Sequence, residues 1–270
     1  MLVANQQAIL LVGCGKMGSA LLCGWLDAGF EANKIWLLVP HPEKVEKFKS
    51  RGCHVITSLE QTETEFSIII LAVKPQVMPQ VIPAVADKAK PDSLIISVAA
   101  GLELAWFRKF LNQQPIVRAM PNTPSAIKRG VTGVYAASIT ESQKNATNKL
   151  LKAVGAIIWL EHEEQIHALT ALSGCGPAYV FYMIECLEKA GIMLGLPHNI
   201  SQELALKTVY GAASLAACSK ESPATLRENV TSPNGVTQKA LSVLMAEHTG
   251  LAPLIEATTK AAVLRSQELA

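Results

Sequence analysis

Several chemistries are set aside by what the chain lacks. It has no Cys-x-x-Cys pair. Its six cysteines (Cys14, Cys23, Cys53, Cys175, Cys186 and Cys218) are not grouped with histidine at metal-ligand spacing. No metal site or dithiol redox motif is therefore expected. A basic block is also missing: 24 Lys and Arg stand against 22 Asp and Glu, for a formal net charge of +2. Nucleic acid and anionic membranes are not expected partners. Long apolar runs are absent as well. A spanning helix needs about 20 mostly apolar residues, and the richest stretch, 178–196, carries Glu185, Glu188 and Lys189. With no basic leader or cleavage site in view, the expectation is a cytoplasmic protein with reduced thiols. Charge itself is scarce, at 17% of residues against 50% hydrophobic. A soluble chain with that balance is expected to hide apolar surface against another subunit.

What is present is a regular alternation. Apolar strand-like runs at 8–12, 35–39, 54–57, 67–73, 94–98, 116–119, 133–136 and 156–160 alternate with helix-like stretches at 19–28, 42–51, 75–86, 102–110 and 141–153. Near-continuous Val/Ile/Leu runs suit strands covered on both faces. The alternation predicts an α/β fold with a doubly wound, mainly parallel sheet of Rossmann type over residues 1–161. From 162 to 270 the strand signal disappears. Helical patterns at 163–172, 177–196, 200–218, 223–229, 236–248 and 251–268 predict an all-α second part, apolar around much of its helices.

The first strand runs into Gly13-Cys14-Gly15-Lys16-Met17-Gly18. G-x-G-x-x-G between a strand and a helix is the dinucleotide-binding fingerprint. Gly13 permits the turn, Gly15 leaves room for a pyrophosphate, Gly18 lets helix and strand approach, and Lys16 and Met17 between them are expected cofactor contacts. An NAD site usually places Asp or Glu at the end of the second strand, against the ribose 2′-hydroxyl. That strand here runs into Val39-Pro40-His41-Pro42-Glu43-Lys44. His41 and Lys44 suit a 2′-phosphate, so NADP(H) is favoured and NAD(H) is retained as possible, with Glu43 as the opposing charge. Ligands lie outside the carboxyl ends of such strands. Ala72-Val73-Lys74-Pro75 and Ala99-Ala100 should therefore line the cofactor cleft. The rigid turn Met120-Pro121-Asn122-Thr123-Pro124 should present backbone amides and the Asn122 side chain near the nicotinamide, with Met120 among the cofactor contacts.

Two segments of the helical part stand out. Ser173-Gly174-Cys175-Gly176-Pro177 opens one long helix. Ser232-Pro233-Asn234-Gly235-Val236-Thr237 opens another, with Ser232 expected as N-cap and Pro233 as first helical residue. In that register the N–H groups of Asn234, Gly235 and Val236 would be free for an anion such as a substrate carboxylate. By itself the segment reads rather as a plain Ser-Pro helix cap.

Taken together, these motifs resemble the pyrroline-5-carboxylate reductase family. The resemblance covers essentially the whole chain and rests on the fingerprint, Ala72–Pro75, 118–124, 173–179 and 230–237. It implies that 162–270 is a substrate-binding and dimerisation domain, with interlocked helices forming a homodimer that often builds a decamer. It implies the substrate 1-pyrroline-5-carboxylate, reduced at C=N to L-proline in the last step of proline biosynthesis. It also implies site roles: Ser232–Val236 on the carboxylate, Thr237 on the ring nitrogen, and Ser173, Gly174, Cys175 and Gly176 closing the pocket, with Thr237, Ser173 and Cys175 nearest the chemistry. Two positions depart from the family pattern. Cys175 replaces its usual serine, and Asn234 replaces the first of two glycines, where Asn best mimics Gly at positive φ. Rival readings are another imine or β-hydroxyacid reductase of the same architecture, or a non-catalytic NADP-binding paralogue.

Overall fold

Alternation along the apolar strands decides which layer each residue joins. The computed structural model describes residues 7–111 and 113–269. In β1 (Ile9–Val12) all four residues are buried. Ile9 and Leu11 enter one core, while Leu10 and Val12 enter the other. In β4 (Ile68–Leu71), Ile68 and Ile70 divide from Ile69 and Leu71 in the same way. A strand buried on both faces must be apolar throughout, which is why these runs are legible.

Eight strands form one sheet in the order β3-β2-β1-β4-β5-β6-β7-β8. The others are β2 (Ile35–Leu38), β3 (His54–Ile56), β5 (Leu94–Ser97), β6 (Ile116–Met120), β7 (Gly130–Tyr135) and β8 (Gly155–Trp159). The pairings from β3 through to β6 are parallel. β7 lies antiparallel to β6, and β8 lies parallel to β7. The strand order reverses between β1 and β4, so a crevice opens at their carboxyl ends.

One core packs α1 (Lys16–Asp27) and α5 (Glu141–Lys152) on the sheet. Trp25 of α1 is fully buried, and its indole N–H donates to Leu150 O at 2.9 Å, which meets the polar need of a buried indole. Trp159 of β8 donates to Asn148 Oδ1 at 2.9 Å. The other core packs α3 (Met78–Lys88) and the single turn α4 (Leu104–Phe107), with Trp106 against Phe107 and Phe110. Trp36 of β2 stacks on His54 of β3, 4.4 Å between centroids.

Several helices are shorter than their sequence signal or shifted from it. The 42–51 stretch is a 3-10 turn, Pro42–Val45, followed by one α turn, α2 (Glu46–Lys49). Its buried residues, Val45 and Phe48, are three apart, a spacing that tight turns satisfy. The first helix begins at Lys16 rather than Ser19, with Gly15 as its N-cap.

From Gln165 the chain is helical: α6 (Gln165–Leu169), a π-turn Thr170–Gly174, α7 (Gly176–Met193), α8 (His198–Cys218), α9 (Pro223–Asn229), α10 (Val236–Leu244) and α11 (Leu251–Glu268). Two compact units result. One runs to Gly174 and takes back the segment from Val263; the other is Cys175–Ala262. The change of element type falls near residue 162, whereas the division by contacts falls at Gly174. In the helical unit α7 packs along α8, where Gly191 lets Ser201 approach.

Candidate active site

The three fingerprint glycines have three different surroundings. Gly13 sits at φ +87°, and a Cβ there would lie 2.7 Å from Val73 Cγ1 and 3.0 Å from Ala72 O. Its N–H donates to Leu38 O at 2.9 Å, tying the turn to β2. At Gly18 a Cβ would meet Gly13 O at 2.5 Å. At Gly15 a Cβ would meet nothing within 4 Å. Gly15 is the extended N-cap of α1, and no side chain caps the helix. The first-turn amides from Lys16 onward thus face open space with the positive end of the helix behind them, an arrangement that fits a pyrophosphate.

Cys14 and Ser19 brace this turn. The Ser19 hydroxyl donates to Cys14 O at 3.1 Å, and the Cys14 thiol lies 3.4 Å from Ser19 Oγ. Burial pushes the Cys14 thiol above its ordinary range, with the Ser19 hydrogen bond acting the other way. Lys74 is exposed and precedes the Pro75–Val77 turn at the end of β4. Ala100 is exposed, whereas Ala99 joins the second core, with its N–H 3.3 Å from Ser97 Oγ. Beyond β2, His41, Glu43 and Lys44 are all exposed, and His41 Nδ1 stands 3.4 Å from Glu43 Oε1. Glu43 therefore turns toward His41, and Lys44 follows as the next residue.

At the end of β6 the Asn122 side chain turns inward. It is buried, and its Nδ2 donates to Ser173 O at 3.2 Å and to Ser173 Oγ at 3.3 Å. Its Oδ1 accepts the Val131 N–H at 2.9 Å. The 3-10 turn that follows, Thr123–Ile127, packs along α1. Ser173 and Gly174 end the π-turn, an element found often at functional sites. A Cβ at Gly174 would come within 3.1 Å of Met120 Cε. Met120, Asn122, Ser173 and Gly174 therefore form one contiguous patch in the sheet unit.

The helical unit carries the other residues. Cys175 is the N-cap of α7 without capping it by its side chain. Burial raises the Tyr179 phenol, and a hydrogen bond with the Cys175 thiol adds to the effect. No atom lies within 4 Å of a Cβ built on Gly176.

Ser232 is not the N-cap of α10. That helix starts at Val236 with Gly235 as N-cap, and Gly235 N–H returns to Ser232 O at 3.0 Å. Pro233 follows Ser232, and Asn234 takes φ +56°, the pattern of a type II turn. The Asn234 N–H donates to Gln238 Oε1 at 2.6 Å. The amides of Asn234 and Gly235 are thus used internally, and the unpaired first-turn donors begin at Val236. Asn does adopt the left-handed conformation expected where the resembled family has glycine. Thr237 stands in the first turn and is exposed.

Sequence reasoning missed one buried ion pair. Arg118 Nη1 donates to Glu163 Oε1 at 2.6 Å, and the Leu104 N–H reaches the same oxygen at 2.7 Å. Arg118 is 4% exposed on β6. A lone guanidinium in an apolar strand was the available signal. Among the described residues no group of three or more His, Cys, Asp or Glu is placed to hold a metal. No helix there is long and apolar enough to cross a membrane.

The sheet with its glycine turn and the helical unit beyond it define an NAD(P)-dependent oxidoreductase with an eight-stranded dinucleotide domain. Residues 8–101 match the family model described as NADP oxidoreductase, coenzyme F420-dependent. Residues 163–269 match the model for pyrroline-5-carboxylate reductase dimerisation. A pyrroline-5-carboxylate reductase of Pseudomonas aeruginosa is 39% identical over 265 residues, 97% of this chain and 96% of that one. A solved pyrroline-5-carboxylate reductase of Coxiella burnetii superimposes with a TM-score of 0.91 at 35% identity, over 98% of each chain. A Plasmodium falciparum pyrroline carboxylate reductase solved with NADP bound gives a TM-score of 0.84 at 27% identity, again over 98% of each. The chain belongs to the pyrroline-5-carboxylate reductase family.

Proposed function

We propose that the chain reduces the C=N bond of 1-pyrroline-5-carboxylate to give L-proline, with NADPH favoured over NADH. The observation that carries the substrate half is the start of α10, where uncapped amides from Val236 onward are followed at once by the Thr237 hydroxyl. The positive helix end holds the carboxylate. The 232–235 turn walls that pocket, with Pro233 and Asn234 shaping it. Thr237 hydrogen-bonds the ring nitrogen. When bound, the nicotinamide supplies the hydride. The protonated imine accepts it at carbon, and its nitrogen keeps the proton it already carries, so no metal or covalent intermediate is required. Ser173 and Gly174, with Cys175 and Gly176, close the reacting end. Lys44 and the lack of an acid directly after β2 support the 2′-phosphate.

The helical unit pairs with that of a second copy, and by the family resemblance such dimers gather into a decamer in the cytoplasm. The test is oxidation of NADPH and NADH by the purified chain, with and without pyrroline-5-carboxylate. Substrate-dependent oxidation faster with NADPH is expected. Thr237→Ala should lower kcat by about tenfold or more while NADPH still binds. No substrate-dependent oxidation with either cofactor overturns the reading.

A further inference from the structure

We infer that Asn122 is a positioning residue for this reduction: it fixes the Ser173–Gly174 end of the π-turn and leaves the Ser173 hydroxyl proton available to bound reactants. The inference rests on the reading that Ser173 touches those reactants. The orientation of the Asn122 amide is forced by its neighbours. The Val131 N–H can only donate, so it must face Oδ1, at 2.9 Å. The Ser173 carbonyl can only accept, so it must face Nδ2, at 3.2 Å. The same Nδ2 lies 3.3 Å from Ser173 Oγ. An amide nitrogen has two hydrogens and no acceptor lone pair to offer. The amide nitrogen is thus turned toward Ser173. In the second contact Oγ is the acceptor, and its own proton must point elsewhere.

A second observation shows why this hold matters. The turn it grips is a π-turn, a rare element that occurs mostly as a single turn and often at functional sites. Gly174 sits against Met120, the last residue of β6, leaving little room for the turn to move inward. Asn122 thus links the strand end that borders the cleft to the residue proposed to act there.

The test compares Asn122→Asp and Asn122→Ala with wild type in the full chain. Asp is nearly isosteric and keeps the acceptor for Val131, but an ionised carboxylate has no proton for the Ser173 carbonyl. Protonation returns one donor. Both variants should lower kcat by about tenfold, with NADPH affinity within about twofold of wild type. The ratio of Asp-variant to wild-type kcat should rise as pH falls, since the carboxyl gains its proton below its own pKa. The Ala ratio should stay flat. A purely structural role would not produce that contrast. A flat Asp ratio overturns the inference. So does unchanged kcat with weakened NADPH binding, which would make Asn122 a direct cofactor ligand.

Failure of the wild-type chain to reduce pyrroline-5-carboxylate would instead overturn the functional reading. The positioning role is then read from amide hydrogen exchange over 170–175 at one pH. Faster exchange in both variants supports it, and unchanged protection sinks it.

Discussion

At the level of single residues, the fingerprint glycines are constrained by three separate contacts rather than by one shared need for flexibility. Gly18 is the sharpest case, because the atom a Cβ would strike is the backbone oxygen of Gly13, 2.5 Å away. That oxygen cannot rotate aside as a side chain could. Gly18→Ala should cost about 1–3 kcal/mol of stability and weaken NADPH binding, measured by thermal unfolding and cofactor titration. At Gly15 nothing obstructs a methyl group within the protein, so only the ligand would object. The motif's spacing disclosed the turn at Gly13 and the close approach at Gly18 in advance. The role of Asn122 could not be seen that way, since its partner lies 51 positions along the chain. Burial pushes the Cys53 thiol up to about 11, so this residue remains a protonated, weak nucleophile near neutrality.

At the level of elements, the central strands β1, β4 and β5 were the most legible, because each is a short, nearly continuous run of aliphatic residues buried throughout. Helix starts were less legible, since proline opens both helices and turns. Ser232-Pro233-Asn234-Gly235 has the residues of an N-cap followed by a first turn. It also has proline and asparagine at the two central positions of a type II turn, and the turn prevails. The Arg118–Glu163 pair was illegible for the same reason as Asn122. It joins β6 to the segment before α6 and, through the Leu104 N–H, to the start of α4. Glu163→Ala would strand a nearly inaccessible guanidinium and should destabilise the chain by about 3–5 kcal/mol. Glu163→Gln retains an acceptor and should cost less. Denaturant unfolding of the two variants measures the difference.

At the level of the whole molecule, the scarcity of charge finds its counterpart in the helical unit. Helices α7 to α11 bury only Ser201 and Ala205 among their described residues. Met193 and Leu194 are 87% and 84% exposed. Isolated apolar patches on a soluble monomer rarely exceed a few hundred Å², so a unit this open is built to be covered. Composition had foretold that a cover exists, and the family model over 163–269 is one for dimerisation. Analytical ultracentrifugation at micromolar concentration should therefore show a dimer or a multiple of it. A stable, active monomer would refute the assembly.

The four tryptophans, Trp25, Trp36, Trp106 and Trp159, all fall in the sheet unit, and 175–262 contains none. The molecule is therefore optically lopsided. Indole emission reports melting of the sheet, while the helical unit is dark at those wavelengths and visible only through its tyrosines and its circular dichroism. A melting curve followed by indole emission alone describes half a protein, and agreement between the two signals is what would certify a single cooperative transition.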